Sequence, residues 1–342
     1  MRGKVMYEQT RSSIHSLIEE GIIPGASFSF INKEETRRYY MGNKQMAPFI
    51  EPLKEDTLYD MASLTKVIGT NTVLLKMKEE GLIDWDDTLS QHLPEWQDDL
   101  VTLRHLLTHT SDINPFIPRR NELNKRELRK AILSLSSGNK RGLEVVYTDI
   151  GTVLLGFMIE HHYQQPVQEV IKETVLSPLG MKRSTFFPDH PKDVAPTEYR
   201  KDRGMIQGTV HDPKAFILQE TCGSAGLFST LDDTEIFVQM MLQQGLIGNH
   251  AYLKTSTILS LLNDYTPLGN QNRSLGWDIK YKTHRGEPML FHTGYTGTFI
   301  LMDLFHQEAF IFLSNRVHPI DNRTEYLEKR DEMIGIYLNE KT

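Results

Sequence analysis

Strand-like segments lie near both ends of this chain, whereas its centre has almost none. ASFSFI at 26–31 alternates in the manner of a strand, and RRYYM at 37–41 follows after a polar turn. Strand patterns return near the other end, at 276–281, 289–291, 298–304 and 309–314. Since end segments of one type often pair in space, we expect one antiparallel sheet built from both ends of the chain.

Helical periodicity dominates the centre of the chain. Amphipathic patterns at 6–20 and 323–339 add one helix near each end. The central patterns fall at 64–80, 124–135, 149–162, 166–175, 231–244 and 255–263. The sequence therefore predicts a mixed α/β (α+β) fold, with an antiparallel sheet flanked by terminal helices and an inserted, mostly helical lobe. We assign 1–60 and 271–342 to the α/β lobe and 61–270 to the helical lobe, and expect the functional site in the cleft between them.

Composition excludes several classes of function. The 342 residues carry 38 Lys+Arg and 45 Asp+Glu, a net charge of −7, which leaves no footprint for nucleic acid and no polybasic patch for a membrane surface. Cys222 is the only cysteine, so no intrachain disulfide can form. The first residues have no apolar signal core, and no apolar run is long enough to span a bilayer. The sequence as it stands predicts a cytoplasmic protein, or an extracytoplasmic one if a leader has been removed.

Ser63 and Lys66 are the first candidate catalytic pair. They stand three residues apart in YDMASLTKVIGT, on one face of the first turn of a predicted helix. An ammonium group beside a hydroxyl helps to form an alkoxide, and a helix N-terminus offers N–H groups to an oxyanion. We expect Asp60, Ser63 or a neighbour to cap this helix. A second S-x-x-K match, Ser137 to Lys140, lies in SSGNKRG, which is typical of a loop.

Two further motifs supply polar groups. Tyr147 precedes a predicted helix in VVYTDIGTVLLG, where Asp149 is a plausible N-cap. A tyrosine near a lysine can act as general base and later as general acid. In LFHTGYTGTFILMD, the run His292-Thr293-Gly294 is expected to open a strand, and the Tyr295 N–H could be an oxyanion donor. Each motif alone is more often structural: a capped turn, a core tyrosine or a buried histidine.

Taken in order and spacing, the three motifs resemble the serine β-lactamase and penicillin-binding-protein superfamily, especially its class C-like branch of carboxypeptidases and esterases. Other segments match the same family along nearly the whole chain: VTLRHLLTHTSDI (101–113), LSPLGMKRSTF (176–186), GTVHDPKA with CGSAGLFST (208–230), LGW (275–277) and SNRVHP (314–319). The resemblance implies a serine hydrolase that forms an acyl-enzyme on an amide, β-lactam or ester bond and needs no cofactor.

The resemblance also implies a role for each matching residue. Ser63 would be the nucleophile, Lys66 its proton partner and Tyr147 the acid/base. The substrate-binding residues would be Asp149, which orients Lys66 and the substrate, together with His292, Thr293, Gly294 and Tyr295. The backbone N–H groups of Ser63 and Tyr295 would form the oxyanion hole.

Two departures from the family pattern affect the expected substrate. His292 stands where many penicillin-recognising members have Lys; because histidine is mostly neutral at pH 7, a substrate carboxylate should be held more weakly. Asp149 replaces the more usual Asn and should favour a protonated Lys66. Asp112 stands where a Gly is common, which should affect only a loop.

Two alternatives stay open at this point. The protein could be a small-ester hydrolase of the same fold, or a penicillin-binding sensor that is acylated but does not turn over. A Ser-His-Asp triad through His211 and Asp212 is disfavoured because no G-x-S-x-G occurs, and we interpret both residues as organisers of a loop near the cleft. Metal-ligand spacing is absent, so no metal is expected. The predicted partners are a β-lactam, a D-alanyl peptide or an ester, without nucleic acid or membrane.

Overall fold

The computed structural model describes residues 7–281 and 286–341. The first residue of the predicted helix at 6–20, together with 1–5, 282–285 and 342 of the predicted α/β lobe, lies outside the described residues. The strands are β1 (Gly25–Ile31), β2 (Thr36–Gln45), β3 (Glu51–Pro52), β4 (Tyr59–Asp60), β5 (Tyr199–Arg200), β6 (Gly204–Met205), β7 (Phe228–Ser229), β8 (Leu246–Ile247), β9 (His250–Ala251), β10 (Asp278–Tyr281), β11 (Pro288–Gly294), β12 (Thr298–Asp303) and β13 (Glu308–Ser314).

The main sheet joins the two ends of the chain. Its seven strands follow the order β10-β11-β12-β13-β1-β2-β3, and neighbouring strands run antiparallel. The junction is the pair β1 and β13, where Phe28 lies opposite Phe312. The predicted antiparallel sheet from both ends is therefore confirmed.

Helices fill the centre of the chain and cover the sheet. They are α1 (Glu8–Glu19), α2 (Asn71–Glu79), α3 (Leu89–His92), α4 (Leu103–Leu107), α5 (Lys125–Leu133), α6 (Ile150–Tyr163), α7 (Val167–Ile171), α8 (Ser177–Leu179), α9 (Pro213–Leu218), α10 (Leu231–Leu242), α11 (Thr255–Ser260) and α12 (Arg323–Glu340). The predicted helices at 64–80 and 166–175 each contain a π-helical turn, over Lys66–Thr70 and Lys172–Leu176. Within the described ranges, no helix combines the length and the apolar character that crossing a membrane requires.

The two faces of the sheet bury different side chains. Phe310 and Phe312 of β13 pack with Ile14 of α1 and Tyr337 of α12, whereas Ile311 points to the opposite face and joins the large helical core. This large core also contains residues of α2, α6, α7 and α10. This core runs without interruption from the sheet into the helices, so the two lobes are packed against each other. We propose the division into 1–60 with 271–342 and 61–270 as a description of these two lobes.

Candidate active site

Ser63 stands in a tight turn that directly follows β4. The residue before it, Ala62, has φ +46°, a left-handed conformation that costs a residue with a side chain about 1 kcal/mol. The buried Asp60 carboxylate holds this turn, since it accepts hydrogen bonds from the Ala62 N–H at 2.9 Å and the His211 N–H at 2.7 Å. This contact ties the backbone at His211 to the turn that carries Ser63, while the predicted role of His211 as a loop organiser stays a prediction.

The predicted side-chain cap of the helix that follows Ser63 is wrong. The helical segment that begins at Lys66 has no side-chain cap hydrogen bond, and Asp60 binds the preceding turn instead. The reason is that backbone carbonyls already satisfy the first N–H groups: Thr65 donates to Ala62 at 3.1 Å and Lys66 donates to Ser63 at 3.1 Å.

The end of β11 packs closely against this turn. His292, Thr293 and Gly294 belong to β11, so the prediction that they open a strand is wrong; their pairing with β12 continues a strand that began at Pro288. A Cβ on Gly294 would lie 2.6 Å from the Met61 carbonyl oxygen and 2.2 Å from the Thr298 Oγ1. Glycine at 294 therefore allows the strand to approach the turn that carries Ser63.

Lys66 forms the centre of the polar site. Its buried ammonium group donates to Ser63 Oγ at 2.7 Å, to Asp149 Oδ1 at 2.8 Å and to the Ser224 carbonyl at 3.1 Å. Burial disfavours the charged form, but Asp149 and then Tyr147 outweigh it and raise the pKa of Lys66 above its usual range. Lys66 is therefore a protonated, fully hydrogen-bonded ammonium group, as the Asp149 departure led us to expect.

Asp149 occupies the N-cap position of α6 without capping it. The predicted N-cap position is confirmed, but the Asp149 side chain makes no cap hydrogen bond. The carboxylate instead bridges Lys66 and Lys214, whose Nζ lies 2.9 Å from Asp149 Oδ2. Burial favours the neutral acid, but the two ammonium groups hold the pKa of Asp149 well below its usual range. Binding two buried cations is stronger than binding a backbone N–H, which explains the difference.

Tyr147 lies in the loop before α6 with 46% of its surface exposed. Its ring centre is 4.5 Å from that of His109, 5.4 Å from Lys66 Nζ and 5.6 Å from Arg273 Cζ. Two positively charged groups, Lys66 and Arg273, thus lie within cation–π distance of the Tyr147 ring.

His292 is buried next to these groups and is held neutral. Burial, followed by the charges of Lys66 and Arg273, moves the pKa of His292 well below its ordinary value. Its ring centre lies 6.2 Å from that of Tyr147 and 6.3 Å from that of Trp277. The strand position that is often a lysine in the resembling family therefore carries no positive charge in this protein.

The remaining predicted residue, Tyr295, faces the mouth of the cleft. Its hydroxyl donates to Asp321 Oδ2 at 2.6 Å, and its ring stacks on His211 at 5.4 Å. The oxyanion-hole role of the Tyr295 and Ser63 backbone N–H groups stays a prediction.

One cleft of about 660 Å³ brings most of these side chains together. Its lining includes Ser63, Tyr147, Asp149, His292, Thr293, Gly294 and Tyr295, while Lys66 reaches the cleft through its hydrogen bond to Ser63. A larger surface groove of about 920 Å³, between α5 and the 134–141 segment, contains none of the predicted site residues.

The second S-x-x-K match does not form a catalytic pair. Ser137 Oγ donates to Asp98 Oδ2 at 2.7 Å, whereas Lys140 Nζ binds Glu144 at 2.9 Å. The loop conformation predicted for this segment separates the two side chains.

Comparison with known proteins identifies the family. The family model named Beta-lactamase matches residues 11–332. The chain belongs to the Beta-lactamase family. A Salmonella gallinarum protein named "Putative D-alanyl-D-alanine carboxypeptidase" is 30% identical, and the match covers 78% of this chain and 71% of that protein. A solved class C β-lactamase has a TM-score of 0.78 at 19% identity, with 97% of this chain and 96% of that chain covered. EstCE1, a hydrolase with promiscuous acyltransferase activity, has a TM-score of 0.73 at 17% identity, with coverages of 96% and 97%.

Membership of the Beta-lactamase family confirms the family, the fold class and the serine-hydrolase class predicted from the sequence. Sequence reasoning missed three charged or polar residues of the site, namely His109, Lys214 and Arg273. His109 and Lys214 lie inside segments that the resemblance used, LLTHTSDI and VHDPKA, so a search for ionisable residues within those segments could have found them. Arg273 precedes the LGW segment and carries no local signal.

Metal-ligand types also meet at a point outside the cleft. Within residues 7–281 and 286–341, Glu287, Asp303 and His306 each offer an atom, all within 4.8 Å of one another. Asp303 already accepts from Lys341 Nζ at 2.5 Å, and none of the three residues lines the cleft. The predicted independence of this Beta-lactamase family protein from metal stays a prediction.

Proposed function

We propose that this protein is a serine hydrolase in which Ser63 is acylated by an ester or amide substrate and then released by water. The observation that carries the proposal is the hydrogen bonding of Lys66. All three protons of its ammonium group have acceptors, in Ser63, Asp149 and Ser224. Because Ser63 Oγ accepts from Lys66, the Ser63 hydroxyl proton is free to leave toward another base.

Tyr147 is the base that the site offers for that proton. Ser63 Oγ attacks the substrate carbonyl carbon while its proton passes to the oxygen of Tyr147, which enters this step as the phenolate, and the Lys66 ammonium stabilises the serine oxygen. Tyr147 then donates this proton to the leaving oxygen or nitrogen as the carbonyl re-forms, which leaves the acyl group on Ser63. Water then attacks the ester carbonyl of the acyl-enzyme and gives a proton to the Tyr147 phenolate. Ser63 leaves as the acid forms and takes this proton back from Tyr147, which regenerates the phenolate.

The oxyanion of each tetrahedral intermediate would lie against the Ser63 and Tyr295 backbone N–H groups. The packing of Gly294 against the Met61 carbonyl supports this placement, since it brings the end of β11 next to the turn of Ser63. Removal of one such donor typically costs about 100- to 1,000-fold in turnover.

The relatives and the cleft each support a class of substrate. The D-alanyl-D-alanine carboxypeptidase name of the Salmonella relative supports a D-alanyl amide, and the β-lactamase fold supports a β-lactam. The neutral His292 weakens the usual carboxylate contact of that strand and supports small esters as additional substrates. A cytoplasmic location stays a prediction from the sequence.

Intact-mass spectrometry tests the nucleophile. The wild-type protein, Ser63→Ala and Ser137→Ala are each exposed to a fluorophosphonate and to a labelled penicillin. We expect one fluorophosphonate adduct per chain in the wild type and in Ser137→Ala, mapped to Ser63, and none in Ser63→Ala. Ser137→Ala is the matched control because Ser137 heads the other S-x-x-K sequence but binds Asp98. An adduct that survives in Ser63→Ala would overturn the assignment.

Turnover separates a hydrolase from a penicillin sensor. After mixing with a chromogenic small ester, a hydrolase releases many equivalents of the alcohol at a steady rate. A stoichiometric burst with no steady phase on esters, D-alanyl peptides and β-lactams would show that the protein is acylated but does not turn over.

A further inference from the structure

Three consecutive backbone carbonyls near Lys66 each accept a hydrogen bond from a different buried side chain. The donors and acceptors are Gln168 Nε2 to the Cys222 carbonyl at 3.2 Å, Thr70 Oγ1 to the Gly223 carbonyl at 2.6 Å, and Lys66 Nζ to the Ser224 carbonyl at 3.1 Å. The proposed mechanism uses only the last of these contacts. The hydrogen bond of Thr70 is the shortest of the three and joins positions 153 apart in the chain.

Thr70 and Lys66 belong to one short turn. They are the last and first residues of the π-helical turn Lys66–Thr70, in which the Lys66 carbonyl accepts from the Asn71 N–H. Turns of this kind are rare and are frequent at functional sites. This turn presents an ammonium group and a hydroxyl to two adjacent carbonyls of the same distant segment.

The carbonyl that Thr70 binds lies in a tightly packed place. A Cβ on Gly223 would lie 2.9 Å from Thr70 Oγ1, and 3.1 Å from both the Thr152 carbonyl oxygen and the Gly156 Cα of α6. Gly223 is buried, so its carbonyl would have no access to water if the Thr70 hydroxyl were removed. An unpaired buried acceptor costs more free energy than its hydrogen bond contributes, and the backbone would shift to find another donor.

We propose that Thr70 is a positioning residue for the hydrolase site, which acts on Lys66 through the backbone of residues 223 and 224. This inference rests on the proposed serine-hydrolase function. The Gly223 and Ser224 carbonyls are separated by a single Cα, so a displacement of the first moves the second. Without the Thr70 hydroxyl, the Lys66 ammonium group loses a fixed acceptor and is held less firmly against Ser63 Oγ.

A role of Thr70 in packing alone predicts different behaviour. Thr70→Val keeps the shape of the side chain and removes its donor, whereas Thr70→Ser keeps the donor and removes a methyl group. Thr72→Val is the matched control. Thr72 is as buried as Thr70, but its hydroxyl donates to the Val67 carbonyl at 3.1 Å, within its own helical segment.

The first measurement is the exchange of the Lys66 ammonium protons with water. It uses ¹H–¹⁵N NMR of the whole protein labelled with ¹⁵N-lysine, and the Lys66 signal is assigned by its loss in Lys66→Arg. Because exchange requires the hydrogen bonds to open, a fixed ammonium group exchanges slowly. We expect the exchange to be about 10-fold faster in Thr70→Val than in the wild type. Thr70→Ser and Thr72→Val should match the wild type.

The second measurement is the rate at which a fluorophosphonate acylates Ser63. A displaced Lys66 stabilises the attacking oxygen less well, so we expect Thr70→Val to react about 10- to 100-fold more slowly. Thr70→Ser should restore most of the wild-type rate, and Thr72→Val should not change it.

Two results would overturn the inference. One is an unchanged exchange of the Lys66 ammonium in Thr70→Val, and the other is an equal acceleration in Thr70→Val and Thr72→Val, which would indicate a general loosening of the helix. If Thr70→Val does not fold, Thr70→Ala repeats the test. A wild-type Lys66 that exchanges as fast as exposed lysines would overturn the inference without any variant.

Failure of the proposed function has a different signature. In that case the fluorophosphonate would still label Ser63→Ala, whatever the exchange of the Lys66 ammonium in the Thr70 variants.

Discussion

Asp149 and Lys214 form an ion pair beside the proposed nucleophile, with Lys214 buried, Asp149 half-buried and 2.9 Å between Asp149 Oδ2 and Lys214 Nζ. The other carboxylate oxygen binds Lys66, and Lys214 also approaches Asp212 Oδ2 at 3.3 Å. The charges therefore alternate along the row Lys66, Asp149, Lys214 and Asp212. Burial disfavours a charged Lys214, but Asp212 and Asp149 outweigh it and raise its pKa. Lys214 thus balances the extra negative charge that aspartate brings to a position where the resembling family usually has asparagine.

Removal of Lys214 alone should destabilise the protein. Lys214→Met leaves the half-buried Asp149 with one cation in place of two, and we expect the free energy of unfolding to fall by about 3 kcal/mol. The double variant Asp149→Asn/Lys214→Met removes both charges and should recover most of this loss. Urea denaturation of the two single variants and the double variant forms the cycle that measures the coupling. Additive losses would show that the two side chains do not depend on each other.

Replacement of Asp149 should move the pH profile of hydrolysis. Asp149 raises the pKa of Lys66, so Asp149→Asn removes the main opponent of burial and this pKa falls. Because the mechanism needs Lys66 protonated, activity is lost as pH rises through that pKa, and the alkaline limb should shift to lower pH. The measurement is kcat/KM for a neutral ester from about pH 7 to about pH 11.

The control for this shift is Asp98→Asn, which removes a carboxylate that binds Ser137 outside the cleft. It should reproduce the wild-type alkaline limb. If Asp149→Asn also matches the wild type, Lys66 does not control the alkaline side of the profile.

The sheet was predictable from local patterns because each strand carries its own signal. Phe28 and Phe312 belong to alternating apolar segments, and chain-end pairing follows once both segments are recognised as strands. The contact between the candidate catalytic residues Ser63 and Lys66 was predictable because their motif has a fixed spacing.

The charge balance of the site was not predictable, because it depends on contacts between distant segments. Lys214 meets Asp149 across 65 positions, and Arg273 meets Tyr147 across 126. Neither periodicity nor local spacing carries this information. The missing cap hydrogen bond of Asp149 has the same origin, since a local rule favours a capping side chain while two distant lysines bind the carboxylate.

Gly294 should tolerate no side chain. In Gly294→Ala the new Cβ would lie 2.2 Å from Thr298 Oγ1 and 2.6 Å from the Met61 carbonyl, so β11 must move away from the turn of Ser63. We expect a loss of about 1–3 kcal/mol in the free energy of unfolding, together with slower acylation by a fluorophosphonate. Gly335→Ala is the matched control in α12, where nothing lies within 4 Å of the added Cβ and alanine favours the helix. Equal stability of the two variants would contradict close packing at Gly294.

Two buried histidines should make the protein less stable in mild acid. Burial, with the charges of Arg273 and Lys66, moves the pKa of His109 and of His292 well below the ordinary value in the folded protein. Below about pH 6.5 the unfolded chain takes up protons that the folded protein does not, so this stability is present above that pH and is lost as pH falls. Each such histidine contributes a slope of about 1.4 kcal/mol per pH unit.

Urea denaturation from about pH 7 to about pH 5 measures this slope. We expect the free energy of unfolding of His292→Gln to depend less steeply on pH than that of the wild type. The reason is that unfolding of this variant takes up fewer protons, by as much as one. His250→Gln, at an exposed histidine of β9, serves as the control and should keep the wild-type slope. If His292→Gln also keeps the wild-type slope, the His292 ring takes up its proton as readily in the folded protein as in the unfolded chain. The neutral state assigned to His292 would then be wrong. A shallower slope would support a neutral His292, as its burial beside Lys66 and Arg273 leads us to expect.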